Sequence, residues 1–234
     1  MLKRLLVLCL FTLYLNSICI YAYDNMLETS DTEYANSNIV KENIHLTVLN
    51  EENINSPIRC FDVSDNGMIA LGLEDDSINV YDKNGKYLYG FSFDVYGTYY
   101  IRWNGENLII YLARENLAVE ISNGSSGDIR SIKEIIDEWS YASPTFKYMF
   151  NANKKFNGDE YQISKNMGPF NLISGSYSKL EIIKDDGTRD TIFDVSKMYT
   201  IRLALEFTFI VVLLIIIFSV LIKTIKQYNP KVEE

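Results

Sequence analysis

The chain has 234 residues and a formal net charge of −9, and it carries three cysteines and one histidine. That charge argues against nucleic acid as a partner, and one histidine is too few for a histidine-based zinc centre. The two ends are far more apolar than the middle, so the charge belongs mostly to the middle.

The first segment, MLKRLLVLCLFTLYLNSICIYAYDN, has a basic start at Lys3 and Arg4 and an apolar run from Leu5 to Leu15. It ends on Ile20-Tyr21-Ala22, with a small residue where a cut would fall. Residues 1–22 therefore read as a secretory signal peptide. An uncleaved membrane helix over Leu5–Ala22 is the rival, and Asn16 and Ser17 interrupt it. Cys19 follows the bulky Ile18, which argues against a lipoprotein anchor. Residues 23–43 form a polar leader low in apolar side chains, expected to be loosely ordered.

Residues 44–201 change character. Short runs rich in Ile, Val, Tyr and Phe alternate with Asn-Gly and Asp-Gly steps, the pattern of strands joined by tight hairpins. Asn and Gly adopt positive φ at little cost, so the chain can reverse at such steps. The turn glycines come in pairs: Gly67 with Gly85, Gly105 with Gly124, Gly168 with Gly187. The first two pairs are offset by 38 and 39 residues, and the third lies 63 further on by both markers. Each unit predicts CFDVS, YYIRW or YQISK before the first turn and MIALGL, LIIYLA or FNLIS after it. INVY, LAVEI or KLEII then precedes the second turn, and YLYGFSF and DTIFDV supply a fourth strand in the first and last units. His45–Leu49 predicts one further strand. The agreement of the two markers points to one insertion of about 24 residues. Within it, Ile132, Ile135, Ile136 and Trp139 recur at helical spacing, and Ser131 with Glu134 makes a capping box, so residues 131–139 predict a short amphipathic helix packed on the sheets.

Residues 203–222 hold one charge, Glu206, and a helix of that length spans about 30 Å, the thickness of a bilayer core. This predicts a transmembrane helix, with the membrane bilayer as its partner. Residues 223–234 contain Lys223, Lys226 and Lys231, which favours a cytoplasmic C-terminus, as does the signal peptide. The bulk of the chain is then extracytoplasmic at a cell membrane. Without the nine charged residues of the two ends, 16 basic residues face 28 acidic ones, a net charge of −12. Location and sign together exclude nucleic acid.

A period near 40 residues with four short strands resembles the blade of a β-propeller over Ile58–Ser196, although the Gly-His and Trp-Asp marks of the best-known propeller repeat are absent. Units with turns such as YDKNGKYLYG also look like those of uncharacterised membrane-anchored proteins of anaerobic Gram-positive bacteria with β-propeller-like repeats. The resemblance implies an all-β extracytoplasmic domain on one anchor and a bacterial source, and it implies no activity. Three units could form an incomplete propeller, a β-sandwich, or half of a six-bladed ring closed by a homodimer.

The chemistry-bearing residues are few. His45 sits in IHLTVL without a nucleophile motif nearby, and Cys60 has no internal disulfide partner in the domain. Cys60 reads as a small buried hydrophobe, with a reactive thiol as the alternative. The carboxylates Glu74, Asp75, Asp76, Asp185 and Asp186 fall at turns, where Asp bonds its own backbone; a glycoside-hydrolysing pair is the alternative. Asp62–Gly67, Asp82–Gly85 and Asp185–Gly187 offer oxygen ligands, but none follows the calcium-loop spacing. Asn123-Gly124-Ser125 matches a glycosylation acceptor and also a turn. Tyr87, Tyr89, Phe91 and Phe93 should share one strand face, and with Tyr96, Tyr99, Tyr100 and Trp103 they read as core; any exposed remainder could stack on sugars or a peptide. No catalytic, cofactor or metal residue is assigned. The expectation is a non-enzymatic binding or sensing module, with an accessory subunit of a membrane surface complex, held by a protein partner, as the alternative, and a carboxylate-based hydrolase behind both.

Overall fold

The computed structural model describes Ser30, Glu33, Val40 and residues 44–95, 97–124, 126–135 and 149–228, with side chains to residue 224. The signal segment 1–22, nearly all of the leader 23–43, residues 136–139 of the expected insertion and the tail beyond residue 228 lie outside the described residues.

Three antiparallel sheets and one long helix make up the described chain. Sheet I contains β1 (Thr47–Leu49), β2 (Ile58–Val63), β3 (Ile69–Leu73), β4 (Ser77–Tyr81) and β5 (Tyr87–Ser92) in the order β1-β5-β4-β3-β2. Sheet II is the meander β6 (Tyr99–Asn104), β7 (Asn107–Leu112), β8 (Leu117–Ile121) and β9 (Ile129–Glu134). Sheet III is the meander β10 (Asn153–Phe156), β11 (Asp159–Ser164), β12 (Lys179–Ile183) and β13 (Arg189–Asp194), with a 3-10 turn η1 (Gly168–Leu172) between β11 and β12. Helix α1 (Ser196–Tyr228) follows β13.

The turn glycines do what their φ freedom allows. At Gly67, Gly85 and Gly187 (φ +84°, +80° and +82°) the glycine closes a three-residue hairpin loop, and its N–H donates to Ser64, Asp82 and Lys184 O respectively. Asn157-Gly158 (φ +52° and +93°) makes the two-residue hairpin between β10 and β11.

Sheet I is the middle layer. Its strands alternate between two separate cores, so β3 (IALGL) and β4 (SINVY) are buried at every residue. Cys60, Ala70, Ile78, Val80 and Phe91 pack toward Tyr99, Ile101, Ile110, Val119 and Ile132 of sheet II. Ile58, Phe61, Val63, Leu71 and Leu73 pack toward Tyr161, Ile163, Leu180, Ile182 and Phe193 of sheet III. Layers are so close that a Cβ on Gly72 would fall 2.7 Å from Cys60 Sγ and 3.1 Å from the Tyr99 ring. That room explains a glycine inside a strand.

The first strands of the three sheets, β2, β6 and β10, converge. Asp62 of β2 sits at the junction. Its Oδ2 accepts the Trp103 N–H of β6 at 2.7 Å, and its Oδ1 accepts Lys154 Nζ of β10 at 2.7 Å. Both side chains of this ion pair are only 2% exposed. Burial pushes the Lys154 ammonium below its ordinary pKa; Asp62 opposes that and nearby Arg102 adds to it.

Three expectations need correction. The helix predicted over 131–139 is strand β9 through Glu134, with Ile135 bridging onward. A register shift between Glu120 and Ile121 inserts one residue opposite β8, so Ile129 and Ile132 both face the core three residues apart. The helical spacing in the sequence is that of Ile132 and Ile135, which both bury in the core between sheets I and II because Ile135 bridges to Asn116 O past the end of β9. In the third unit, YQIS belongs to the second strand, β11, and FNLIS forms η1 and its exit. The first strand is NKKF, whose two lysines offer no apolar alternation along the chain. Gly158, not Gly168, is the counterpart of Gly67 and Gly105, and the equal 63-residue offsets are a coincidence of two separate insertions. One lies between β9 and β10, the other between β11 and β12. Tyr87 also leaves the face shared by Tyr89, Phe91 and Phe93, because the register shifts between Val80 and Tyr81; it packs edge-on to Tyr81 on the sheet III side.

The apolar helix starts earlier than residue 203, without a linker. Val195 and Ser196 are buried, Val195 N–H donates to Ser178 O at 2.9 Å, and the Ser178 and Ser196 hydroxyls are 2.9 Å apart. Asp194 Oδ1 accepts the Ser196 N–H at 2.8 Å and caps the helix. Over Ser196–Thr224 α1 is long and apolar enough to cross a membrane, and its most apolar stretch is not buried against the β domain.

The junction yields a stability prediction. Lys154→Met withdraws the cation from a buried carboxylate and should lower unfolding free energy by about 3–5 kcal/mol. Lys184→Met, which breaks the exposed Lys184–Asp190 pair, should leave it nearly unchanged. Denaturant midpoints of the full chain in detergent check the contrast, and equal effects would remove the special standing of Asp62.

Candidate functional site

The β3–β4, β7–β8 and β11–β12 loops lie at the end of the domain from which α1 departs. An antiparallel bridge between Ile58 and Tyr177 fixes this for sheets I and III. Here Glu74-Asp75-Asp76 turns between β3 and β4, 113–116 turns between β7 and β8, and 165–178 joins β11 to β12.

Arg59, at the start of β2, organises the first of these turns. Its guanidinium donates to Glu74 Oε2 at 2.9 and 3.2 Å, to Glu74 O at 3.1 Å and to Asp76 Oδ1 at 3.1 Å. It also stacks 4.7 Å above the Tyr99 ring. Glu74 Oε1 accepts the Ser176 hydroxyl at 2.8 Å, which carries the network to sheet III. Asp76 adopts φ +57°, and burial raises its carboxyl above the ordinary value against the pull of Arg59. Asp75 accepts Asn53 Nδ2 and the Ser77 hydroxyl, each at 2.7 Å. The three acids thus hold a turn, and Asp76 also faces the cleft between sheets I and II.

That cleft, about 670 Å³, opens between sheets I and II and is lined by Ile44, His45, Asp76, Asp94, Leu112 and Glu115 among others. It joins an apolar floor to three carboxylates and the single histidine. His45 lies outside the expected strand: it is exposed, with φ +44°, two residues before β1. Asp94 N–H donates to Ile44 O at 3.0 Å, which extends the β1–β5 pairing of sheet I to the rim of the cleft. Chemically the cleft suits a positively charged group carried on an apolar body. Neither Asp94 nor Glu115 is legible as a site residue in sequence, because one follows a strand and the other sits in a four-residue turn from different repeats.

A smaller cleft lies against the helix root, lined by Ser56, Glu74, Asp75, Ser176, Tyr199, Arg202 and Glu206. Arg202 Nε donates to Glu206 Oε1 at 3.0 Å, so the one acid of the apolar helix has a partner one turn away.

The remaining candidates are dispersed. Asp185 and Asp186 occupy the β12–β13 turn, at the far end of the domain from Glu74–Asp76, so no pair drawn from the two clusters can flank one bond. Asp186 Oδ1 accepts the Thr188 N–H at 2.8 Å and hydroxyl at 2.7 Å, which holds its carboxyl below the ordinary value. Asp82 Oδ1 accepts the Lys86 and Asn84 N–H groups, each at 2.9 Å, with the same effect. These are the turn bonds expected of Asp. Asp62 is committed to the three-sheet junction. Among the described residues no group of three His, Cys, Asp or Glu side chains is placed to hold a metal ion. Asn123 Oδ1 accepts the Tyr89 hydroxyl at 2.6 Å, and Tyr99, Tyr100 and Trp103 are core; Tyr96 and Ser125 lie outside the described residues.

Cys60 is buried between sheets I and II, and burial pushes its thiol up to about 12. The thiol is therefore protonated and shielded near neutral pH. Iodoacetamide at pH 8 should leave Cys60 unmodified in the folded chain and modify it in guanidinium, as read by peptide mass mapping; fast native labelling would restore the reactive-thiol reading.

Comparison of the chain with models of known protein families and with curated proteins gives no match in either case.

Proposed function

We propose that the chain is a single-pass membrane protein whose β domain is a non-enzymatic, extracytoplasmic binding or sensing module, with the acidic cleft between sheets I and II as its ligand site. The observation that carries this reading is the position of the cleft. It opens at the end of the domain that runs without a linker into an apolar helix. The basic, apolar N-terminal segment and the lysines beyond Ile222 support the orientation, with the C-terminus in the cytoplasm. The cleft's carboxylates favour a cationic ligand, and its aliphatic floor favours one with an apolar body.

The test uses the full chain in nanodiscs and a panel of amines, cationic peptides and matched anionic compounds. A cationic ligand at about one hundred times its Kd should stabilise the domain by about 2.7 kcal/mol. Asp94→Asn with Glu115→Gln should abolish that gain without lowering the unliganded melting temperature. A panel in which no compound stabilises, or in which anions do so equally, would sink the cleft as a ligand site.

One observation favours an accessory subunit of a membrane surface complex as the second reading. Among the described residues, the two cores lie on opposite faces of sheet I and no core joins sheet II to sheet III. Such a stack leaves faces for a partner or a second copy of the chain. This reading predicts recovery of another membrane protein at fixed stoichiometry after mild solubilisation. Light scattering that returns a bare monomer would count against both occupants.

A further inference from the structure

The β11–β12 connection stands out from its counterparts. Sheets I and II turn within residues 74–76 and 113–116, but sheet III uses residues 165–178 and builds η1 there. The insertion carries two aliphatic side chains with almost no cover: Leu172 is 93% exposed and Ile173 is 67% exposed. Both leave apolar surface in water that burial would remove.

Their exposure does not come from a loose loop. Met167 beneath them is buried, and its N–H donates to Asn171 Oδ1 at 2.8 Å. Phe170 O accepts the Ile173 and Ser174 N–H groups at 3.1 and 3.0 Å. Lys165 Nζ donates to Ser174 O, closing the loop from the other side. The loop is a braced toe with two apolar side chains at its tip.

The toe also lies against α1, the apolar helix. Around the helix root, Ile54, Met198 and Ile201 are exposed and line one groove with Lys197 and Asn166. Apolar side chains, a flanking cation and a membrane-length helix thus meet at one end of the domain. An element that is apolar at its tip and polar behind it sits about 5–10 Å into the boundary between headgroups and acyl chains.

We propose that η1 with Leu172 and Ile173 is an interfacial membrane anchor, seated in the lipid leaflet that α1 enters and fixing how the β domain rests on it. This rests on the membrane reading of α1. The occupant is the phospholipid surface itself, because the apolar tip continues the apolar surface of a helix long enough to cross it.

The test places one new tryptophan at a time in the full chain, reconstituted in phosphatidylcholine nanodiscs with or without brominated acyl chains. Leu172→Trp reports the toe, Phe209→Trp reports α1, and Glu106→Trp reports the far end of sheet II; emission of the parent protein is subtracted. The toe tryptophan should be blue-shifted and quenched by the bromolipid several-fold more than Glu106→Trp. Leu172 is so exposed that the substitution should leave the melting temperature unchanged. Quenching of Phe209→Trp with none of Leu172→Trp would overturn the anchor and leave the membrane helix standing. No quenching of Phe209→Trp would overturn both.

Discussion

Three sheets depend on one carboxylate. Asp62 points from the middle sheet into the place where β2, β6 and β10 converge, and its two oxygens bind one group from each neighbouring sheet. A hydrophobic junction could hold the layers together, but it could not fix their register, because apolar contacts are non-directional. A buried ion pair with a backbone N–H on its other oxygen gives direction at the cost of desolvation. The two cores then fill the space on either side of sheet I. They also explain why β3 lacks the polar alternation of a half-exposed strand: it has no solvent face.

How much of this was legible in the sequence varies by element. The strands β2 to β5 of the first unit were legible, because Gly67 and Gly85 mark two of the turns between them with positive φ; the β3–β4 turn uses Asp76 in their place. The second unit hid its last strand, since Ile132 and Ile135 bury in one core three residues apart, the spacing of a helix face. The third hid its first strand. NKKF has no apolar alternation, and nothing local says that Lys154 has a buried partner ninety-two residues away. Long-range electrostatic pairing is invisible to periodicity, which reads only near neighbours.

The candidate site was legible in pieces. The Glu74–Asp76 turn was visible as acids at a hairpin, and their turn bonds follow from ordinary Asp behaviour. The gathering of Asp76, Asp94, Glu115 and His45 around one cleft depends on two sheets packing face to face, and no spacing along the chain encodes it. The apolar end helix was legible by composition, because twenty residues with one charge need no tertiary context. Its point of origin was not, because Asp194 and Ser178 determine it from within sheet III.

That origin has a mechanical meaning. A helix that begins as the direct continuation of a packed strand transmits torsion as well as force, so the β domain and α1 share one azimuth. A helix advances about 100° per residue. One residue inserted in the first turn of α1 would therefore swing the whole domain by more than a quarter turn about the helix axis, carrying the acidic cleft with it. In a protein whose domain hung from a flexible tether, the same insertion would pass unnoticed.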